Sequence, residues 1–251
     1  MTEDLFTVYL GSRGGKRVAL ENKLLRDHSH IPETRLRRQL RQAWEEARPA
    51  ATLKRQAIAL RDCERCEGMF HSGWVRGEGP VPAPILFLGE SPGRNEAQHH
   101  RPFIGPAGGL LNELLELAGW PRTGVFITNV VKCFTFRPKV QLTPRVAQGC
   151  WPYLREELRC VDPAYIVCLG RYAWENWTGE PHTGLLEDLR QQVHRVTRPG
   201  LRTFSTVFCY HPAAALRQPQ RYLQPLREDF AWLGETAGPW VDYRMLSEES
   251  E

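Results

Sequence analysis

Short apolar runs alternate with helical patterns along the chain from about residue 53 onward. Between the runs, leucines recur at helical spacing in GGLLNELLELAG (108–119), and helical patterns also occupy residues 143–161 and 213–234. Runs of this length, rich in β-branched and aromatic residues, are typical of strands buried on both faces. The four runs are PILFLGE (84–90), GVFITNVVK (124–132), AYIVCLG (164–170) and FSTVFCYHP (204–212). This alternation predicts an α/β fold, in which helices cover both faces of a four-stranded, mostly parallel sheet.

The first 50 residues follow a different pattern. The stretch TRLRRQLRQAWEEARPA (34–50) is helical in pattern and rich in arginine, with few large apolar residues. Such a segment is either a solvated helical extension or a helix that lies on DNA phosphates, and the sequence leaves both interpretations open. We therefore expect a basic helical extension over 1–52, an α/β domain over 53–238 and an acidic tail over 239–251.

Composition narrows the class of protein only slightly. Apolar residues make up 41% of the chain, charged residues make up 25%, and the net charge of +4 permits a nucleic-acid partner without arguing for one. No apolar run approaches the roughly 18 residues of a membrane helix, and the N-terminus lacks a signal-peptide pattern. We expect a cytoplasmic monomer that does not contact membranes.

Polar side chains stand where three of the predicted strands end. Glu90 follows the first strand, Asn129 ends the second and His211 follows the fourth. Ligands of open parallel sheets bind beyond the carboxyl ends of the strands, so these three side chains are expected to face one crevice. A lone histidine is usually structural, but three polar groups at one edge predict a functional site.

Four of the seven cysteines have a spacing that suggests metal ligation. Cys63 and Cys66 form a CxxC pair, Cys133 follows the second strand, and Cys150 lies 17 positions later. Four thiolates could hold zinc or an iron–sulfur cluster, and the wide spacing of the second pair favours iron–sulfur. The others, Cys160, Cys168 and Cys209, lie in or beside apolar runs and are predicted to be core residues.

Taken together, these motifs resemble the family-4, iron–sulfur type of uracil-DNA glycosylase over about residues 53–235. The matching pieces are CERC, GESPGRNEAQHHRPFIGPAGGLLNELL, VFITNVVKC, the later Cys150 and HPAAALRQP. The resemblance implies an α/β/α sandwich around a four-stranded parallel sheet and a 4Fe–4S cluster held by Cys63, Cys66, Cys133 and Cys150. It also implies a DNA-repair hydrolase that flips uracil out of single- or double-stranded DNA and cleaves its N-glycosidic bond, leaving an abasic site.

The resemblance gives three residues direct roles toward the flipped base. Phe103 corresponds to the aromatic ring that stacks on uracil, and Asn129 to the carboxamide that reads O4 and N3–H. His211 corresponds to the histidine that donates a hydrogen bond to O2 as negative charge develops there. Asn129, His211 and Glu96 are the predicted catalytic residues, and the first two also bind the substrate.

The remaining predicted site residues line or flank the base. Glu90 is expected to line the site, and Glu96 to place water or shape the pocket. Ser91 stands where other uracil-DNA glycosylases place an aspartate, so a strong general base is missing at that point and catalysis should depend on stabilising the leaving group. Leu216 or Arg217 is expected to fill the gap that the flipped base leaves in DNA.

Two departures from the family pattern keep other functions open. His99 and His100 stand where the family usually has a small residue, and the basic extension lies outside the pattern. A catalytically weak or inactive DNA-binding protein with the same fold is therefore an alternative, and a zinc-dependent nucleic-acid binding module is another. A related branch that forms a covalent adduct through a loop histidine is disfavoured, because residues 134–149 contain no histidine.

Overall fold

The structure, a computed structural model, describes residues 14–27, 30–66, 73–134 and 144–238. The chain divides into two compact units, residues 1–55 and 56–251. Helix Glu33–Arg61 runs through the boundary predicted at residue 52, and the predicted tail 239–251 lies outside the described residues. The division of the chain into an extension, a domain and a tail stays a prediction.

The described part of the first unit contains two helices, α1 (Gly14–Asp27) and α2 (Glu33–Arg61), the second of which continues into the next unit. Leucines spaced for one helical face lie between them. The buried members are Leu24, Leu36 and Leu40, against which Leu20, Leu25 and Ile31 pack. The opposite face of α2, which carries most of its arginines, is left exposed.

The second unit is organised around a sheet whose strand order is β2-β1-β3-β5-β4. The first four positions in this order are parallel to one another, and the last strand is antiparallel to its neighbour. The strands are β1 (Ile85–Gly89), β2 (Phe126–Asn129), β3 (Tyr165–Leu169), β4 (His194–Thr197) and β5 (Thr203–Cys209). The predicted α/β class and the mostly parallel sheet are confirmed.

The sheet has five strands rather than the predicted four, because β4 extends one edge. In β4 residues with partly buried side chains alternate with exposed ones, and the sequence HRVT offers one aliphatic residue, so no apolar run marks it. A tight connection to β5 passes through Gly200, whose φ of +74° favours glycine. A short, polar strand of this kind can protect the edge of a sheet from unwanted pairing.

Helices lie on both faces of the sheet. On one face, the ring of Phe87 in β1 stacks on Phe230 with centroids 5.7 Å apart. On the other face, Thr206 of β5 accepts a hydrogen bond from Trp177 Nε1 (2.8 Å), and Thr128 of β2 donates one to Glu157 (2.8 Å). These contacts build three layers. The helices are α3 (Arg94–His99), α4 (Pro106–Leu117), α5 (Pro144–Val161), α6 (Arg171–Thr178), α7 (Pro212–Arg217) and α8 (Pro219–Ala237).

Among the helices that the structure describes, none combines the length and apolar character that a bilayer span requires.

Candidate active site

A cavity of about 450 Å³ opens at the carboxyl ends of the strands, where the sequence places its polar residues. The register of the sheet sets Asn129 opposite Gly89, and His211 follows the end of β5 by two residues. The cavity brings together Ser91, Glu96, Phe103, Asn129, His211, Leu216 and Arg217, together with residues 93–95, 105–107 and 213. Seven of the residues predicted from the sequence therefore share one cavity.

Asn129 presents an unsatisfied polar group to this cavity. Its side chain is buried, with 3% of its surface exposed, and its Oδ1 has no hydrogen-bond partner within the part of the chain that the structure describes. A buried polar atom left unpaired costs roughly 1–3 kcal/mol, so the position favours a ligand that donates a hydrogen bond. A carboxamide can accept one hydrogen bond and donate another side by side, and this matches a planar group that carries a donor next to an acceptor.

The close packing of Asn129 and Phe103 depends on Gly89. A Cβ atom at this position would lie 2.6 Å from Cζ of Phe103 and would also collide with Oδ1 of Asn129. Glycine therefore lets the ring of Phe103 and the carboxamide of Asn129 pack directly against the end of β1. The sequence shows this glycine only as the residue that ends a strand.

Phe103 is held in an unusual backbone conformation. Its φ is +50°, a region that large side chains rarely adopt, and 5% of its surface is exposed. Gly108 packs directly on its backbone, where a Cβ would overlap the Phe103 carbonyl. The ring stacks toward the imidazole of His211, with centroids 5.7 Å apart and planes inclined by 28°. Strain of this kind is typical of functional sites, and here it fixes a flat apolar wall of the cavity.

Glu96 holds the loop that carries Phe103. Its Oε1 accepts hydrogen bonds from the backbone N–H groups of Ile104 (3.1 Å) and Gly105 (2.8 Å). Gly93 allows the other oxygen to sit close, because a Cβ there would lie 2.5 Å from Oε2. Of the two roles expected for Glu96, the geometry supports shaping the pocket.

His211 is arranged as a neutral donor. Its Nδ1 accepts the backbone N–H of Ala213 (3.0 Å) and so caps helix α7. Burial, assisted by the charge of Arg217, lowers the pKa of His211 to about 4. At neutral pH the imidazole is therefore uncharged, and because Nδ1 accepts, the proton is on Nε2. Nε2–H can donate to a ligand in the cavity.

Glu90 lies apart from the residues described so far. It lines a neighbouring cavity of about 370 Å³ together with Tyr172, His211 and Arg217. Burial raises the pKa of Glu90, and the nearby Arg217 charge partly offsets this effect. His211 and Arg217 line both cavities, whereas Asn129 lines the first and Glu90 lines the second.

Leu216 and Arg217 lie at the exposed end of α7. Leu216 is one of the exposed large apolar side chains, with 49% of its surface accessible, and both residues line the mouth of the cavity. An exposed leucine at the rim of a concave site can contact a bound partner.

The two unexpected histidines are engaged by the protein itself. His99 contacts the carbonyl oxygen of Asn95 (2.9 Å). His100 contacts the carbonyl oxygen of Trp74 (2.8 Å) and stacks on its ring at 4.5 Å. With φ of +54°, His100 also ends helix α3. Neither histidine lines the cavity, and their contacts indicate a structural role.

The four predicted ligand cysteines come close together from three segments of the chain. Cys66 is hydrogen-bonded to Cys150, and Cys63 lies near both Cys66 and Cys133. Burial, followed by the neighbouring thiols, raises the pKa of Cys133 to about 12. Buried thiolates therefore need a cation to compensate them, and an all-sulfur donor set suits iron–sulfur or zinc.

All four of these side chains are thiols, and Cys133 and Cys150 are buried. Such a donor set fits an iron–sulfur cluster. Among the described residues, no three Cys, His, Asp or Glu side chains form a group that could hold a metal ion.

The structure shows a buried ion pair beside these cysteines that the sequence analysis does not predict. Lys132 is fully buried, and its Nζ lies 2.6 Å from Oε2 of Glu157 and 2.6 Å from Oγ1 of Thr128. Glu157 also accepts the backbone N–H of Gly77 (2.9 Å), and Lys132 donates its own backbone N–H to Cys150 Sγ (3.4 Å). The indication in the sequence is a lysine inside the apolar run GVFITNVVK.

Comparison with known proteins identifies the family of the chain. Residues 76–233 match the model of the uracil DNA glycosylase superfamily. The type-4 uracil-DNA glycosylase of Archaeoglobus fulgidus is 36% identical over 185 residues, which cover 71% of this chain and 90% of that protein. The protein of the same name from Sulfurisphaera tokodaii is 36% identical over 192 residues, 74% of this chain and 83% of its own. That of Thermotoga maritima is 43% identical over 101 residues, 39% of this chain and 51% of its own.

Proposed function

The chain belongs to the uracil DNA glycosylase superfamily, and within it to the type-4 uracil-DNA glycosylases, and from this we infer that it releases uracil from DNA. The reaction is hydrolysis of the N-glycosidic bond, which leaves an abasic site. The observation that carries the inference is a cavity that joins an unsatisfied Asn129 oxygen, the wall of Phe103 and the Nε2–H of His211. These are the groups that a flipped uracil requires.

Asn129 and Phe103 select and hold the base. The carboxamide accepts from N3–H of uracil through Oδ1 and donates to O4 through its NH₂ group. Cytosine offers the opposite order, an acceptor at N3 and a donor at N4, and would leave both groups unpaired. The ring of Phe103 supplies stacking that is indifferent to the identity of the base.

His211 stabilises the leaving group. Cleavage of the bond places negative charge on O2 of the departing uracil, and a neutral imidazole donating from Nε2 stabilises that charge in the transition state. The hydrogen bond that Nδ1 accepts from the Ala213 backbone N–H fixes the tautomer before the substrate arrives. Glu96 acts through the loop that it holds and not through the bond that breaks.

No strong general base is proposed to activate the attacking water. Its activation depends mainly on how the site positions it. Ser91 lines the cavity where a carboxylate would otherwise stand. Glu90, which lines the adjoining cavity together with His211, contributes negative charge as the sugar becomes cationic. Leu216 and Arg217, at the mouth, fill the space that the base vacates in DNA.

We propose that four cysteines bind a 4Fe–4S cluster, namely Cys63, Cys66, Cys133 and Cys150. A 4Fe–4S cluster bound there would act as a structural clip that supplies no step of the hydrolysis. Through its four ligands the cluster would tie the segment after α2 to the segment after β2 and to α5.

The test is direct release of the base. Purified protein is incubated with an oligonucleotide that carries one uracil, and abasic sites are then cleaved with alkali. The cleaved fraction of the strand is measured. Strand cleavage at the uracil, absent with a matched thymine oligonucleotide, is expected. Tight binding of the uracil strand without cleavage would instead support the DNA-binding alternative.

A further inference from the structure

Helix α2 concentrates the positive charge of the chain. Between Glu33 and Arg61 it carries eight Arg and Lys residues and three Glu residues, a net charge of +5. The whole chain has a net charge of +4, so the remainder is close to neutral, at −1. The superfamily match begins at residue 76, after this helix ends. This basic helix therefore lies outside the region that the superfamily model matches.

One face of α2 is already occupied. Leu36 and Leu40 are buried with Leu24 of α1. Arg37 is also engaged, because it forms ion pairs with Glu33 (2.8 Å) and Glu21 (2.6 Å) within the same unit. These contacts hold the two helices together and set the orientation of α2.

Three arginines on the same stretch remain available. The side chains of Arg35, Arg38 and Arg41 are exposed. Within the described part of the chain none of the three forms an ion pair, in contrast to Arg37. Residues three apart are offset by about 60° and by about 4.5 Å along a helix. The three guanidinium groups therefore form a shallow stripe about 9 Å long, on the scale of neighbouring phosphates along a nucleic-acid strand.

We propose that this stripe, formed by Arg35, Arg38 and Arg41, is a second DNA-binding surface that holds phosphates without reading sequence. The identity of the polyanion as DNA rests on the proposed function. Free guanidinium groups suit phosphate oxygens, which they contact in pairs. Like-charged arginines this close repel one another, and a line of phosphates removes the repulsion. The surface would keep the enzyme on undamaged DNA between uracil sites.

The test uses the full chain with Arg35→Gln, Arg38→Gln and Arg41→Gln combined. Glutamine is a good helix former, so the helix should persist in circular dichroism. Affinity for a uracil-free duplex is measured by fluorescence anisotropy between 50 and 200 mM salt. Loss of three phosphate contacts should flatten the plot of log affinity against log salt by about 2.7, at about 0.9 per contact.

A matched control removes the same charge elsewhere. The three control residues are exposed and lie near the starts of β3 and β5, at the end of the sheet away from the candidate active site. They are Arg159, Arg195 and Arg202. Changing these three to glutamine should leave the slope within about one unit of the wild type. Equal slopes for both triple variants, or no change in the first, would overturn the proposal.

Failure of the proposed function would look different. If uracil release is absent but the slope still flattens in the first variant alone, the surface stands and the enzymatic assignment falls. If uracil release from a short oligonucleotide is normal and the slope is unchanged, the enzymatic assignment stands and the surface falls.

Discussion

Replacement of His211 by asparagine separates its two roles. Asparagine is among the best residues at a helix N-cap, so it can still accept from Ala213 and preserve α7. It cannot place a donor where Nε2–H stands. Loss of one donor to developing charge typically lowers the rate about 10²–10³-fold, and we expect that loss in the chemical step rather than in DNA binding.

The pKa of about 4 turns this prediction into a statement about pH. At pH 7 only about one His211 in a thousand is protonated, since the difference is about three units. If His211 acts as a neutral donor, its titration should not change the rate constant of uracil release between pH 5.5 and 8. An imidazolium acid with the same pKa would make the rate fall about tenfold for each unit of rising pH.

The same shift sets the direction of a stability effect. A histidine whose folded pKa lies below its unfolded value of about 6.5 stabilises the fold above that value, and the contribution is lost as the pH falls toward 4. The full difference corresponds to at most about 3 kcal/mol. The His211→Asn protein should therefore lose less stability than the wild type over pH 6.5 to 4.

Single-turnover release of uracil, with enzyme in excess, measures the chemical step. His182→Asn serves as a control, because His182 contacts the carbonyl oxygen of Leu185 outside the base cavity. Melting temperatures at pH 7 verify that both variants are folded. A wild-type rate in His211→Asn, or a wild-type rate that falls tenfold per unit above pH 5.5, would refute the neutral-donor reasoning.

Three further predictions concern the base, the cysteines and the buried pair. Asn129→Asp sets an acceptor against uracil O4 and should slow uracil release at least about tenfold, with weak cytosine release where the new acceptor meets N4; an unchanged uracil rate would mean that Asn129 does not read the base. Anaerobically purified protein should absorb broadly near roughly 400 nm and contain iron, and Cys133→Ala should lose this colour while Cys168→Ala keeps it; a colourless wild type with stoichiometric zinc would contradict the cluster. Lys132→Met leaves the buried Glu157 carboxylate without its partner and should lower the free energy of unfolding by about 3–5 kcal/mol, more than the double change Lys132→Met/Glu157→Leu. A double variant with a lower melting temperature than the single one would show that Lys132 does not compensate the Glu157 charge.

The strand ends could be predicted from the sequence because burial on both faces leaves a clear trace. Runs such as ILFLG are apolar throughout, and the first polar residue after such a run marks the edge of the sheet. Asn129 and His211 were identified in this way, and the structure brings them to one cavity. Phe103 was identified through the resemblance, and its strained backbone gives no sign in the sequence.

Neighbouring carboxylates show where sequence reasoning reaches its limit. Glu90 directly follows a strand and Glu96 lies six residues later, and both are polar loop residues in the sequence. In the structure Glu96 turns inward to hold the loop of Phe103, whereas Glu90 lines a second cavity. Which way a carboxylate points depends on backbone N–H groups that come from other segments.

By itself the sequence determined the α/β class, four of the five strands, and the residues at the ends of those strands, since periodicity and burial are local properties of a chain. Tertiary structure alone decided what those residues can do. The carboxamide of Asn129 and the ring of Phe103 meet because Gly89, opposite Asn129 in the sheet register, has no side chain to keep them apart. The neutral state of His211 follows from its enclosure, and the pairing of Lys132 with Glu157 joins residues 25 positions apart. Such properties depend on distance and desolvation between segments, which only the folded chain brings together.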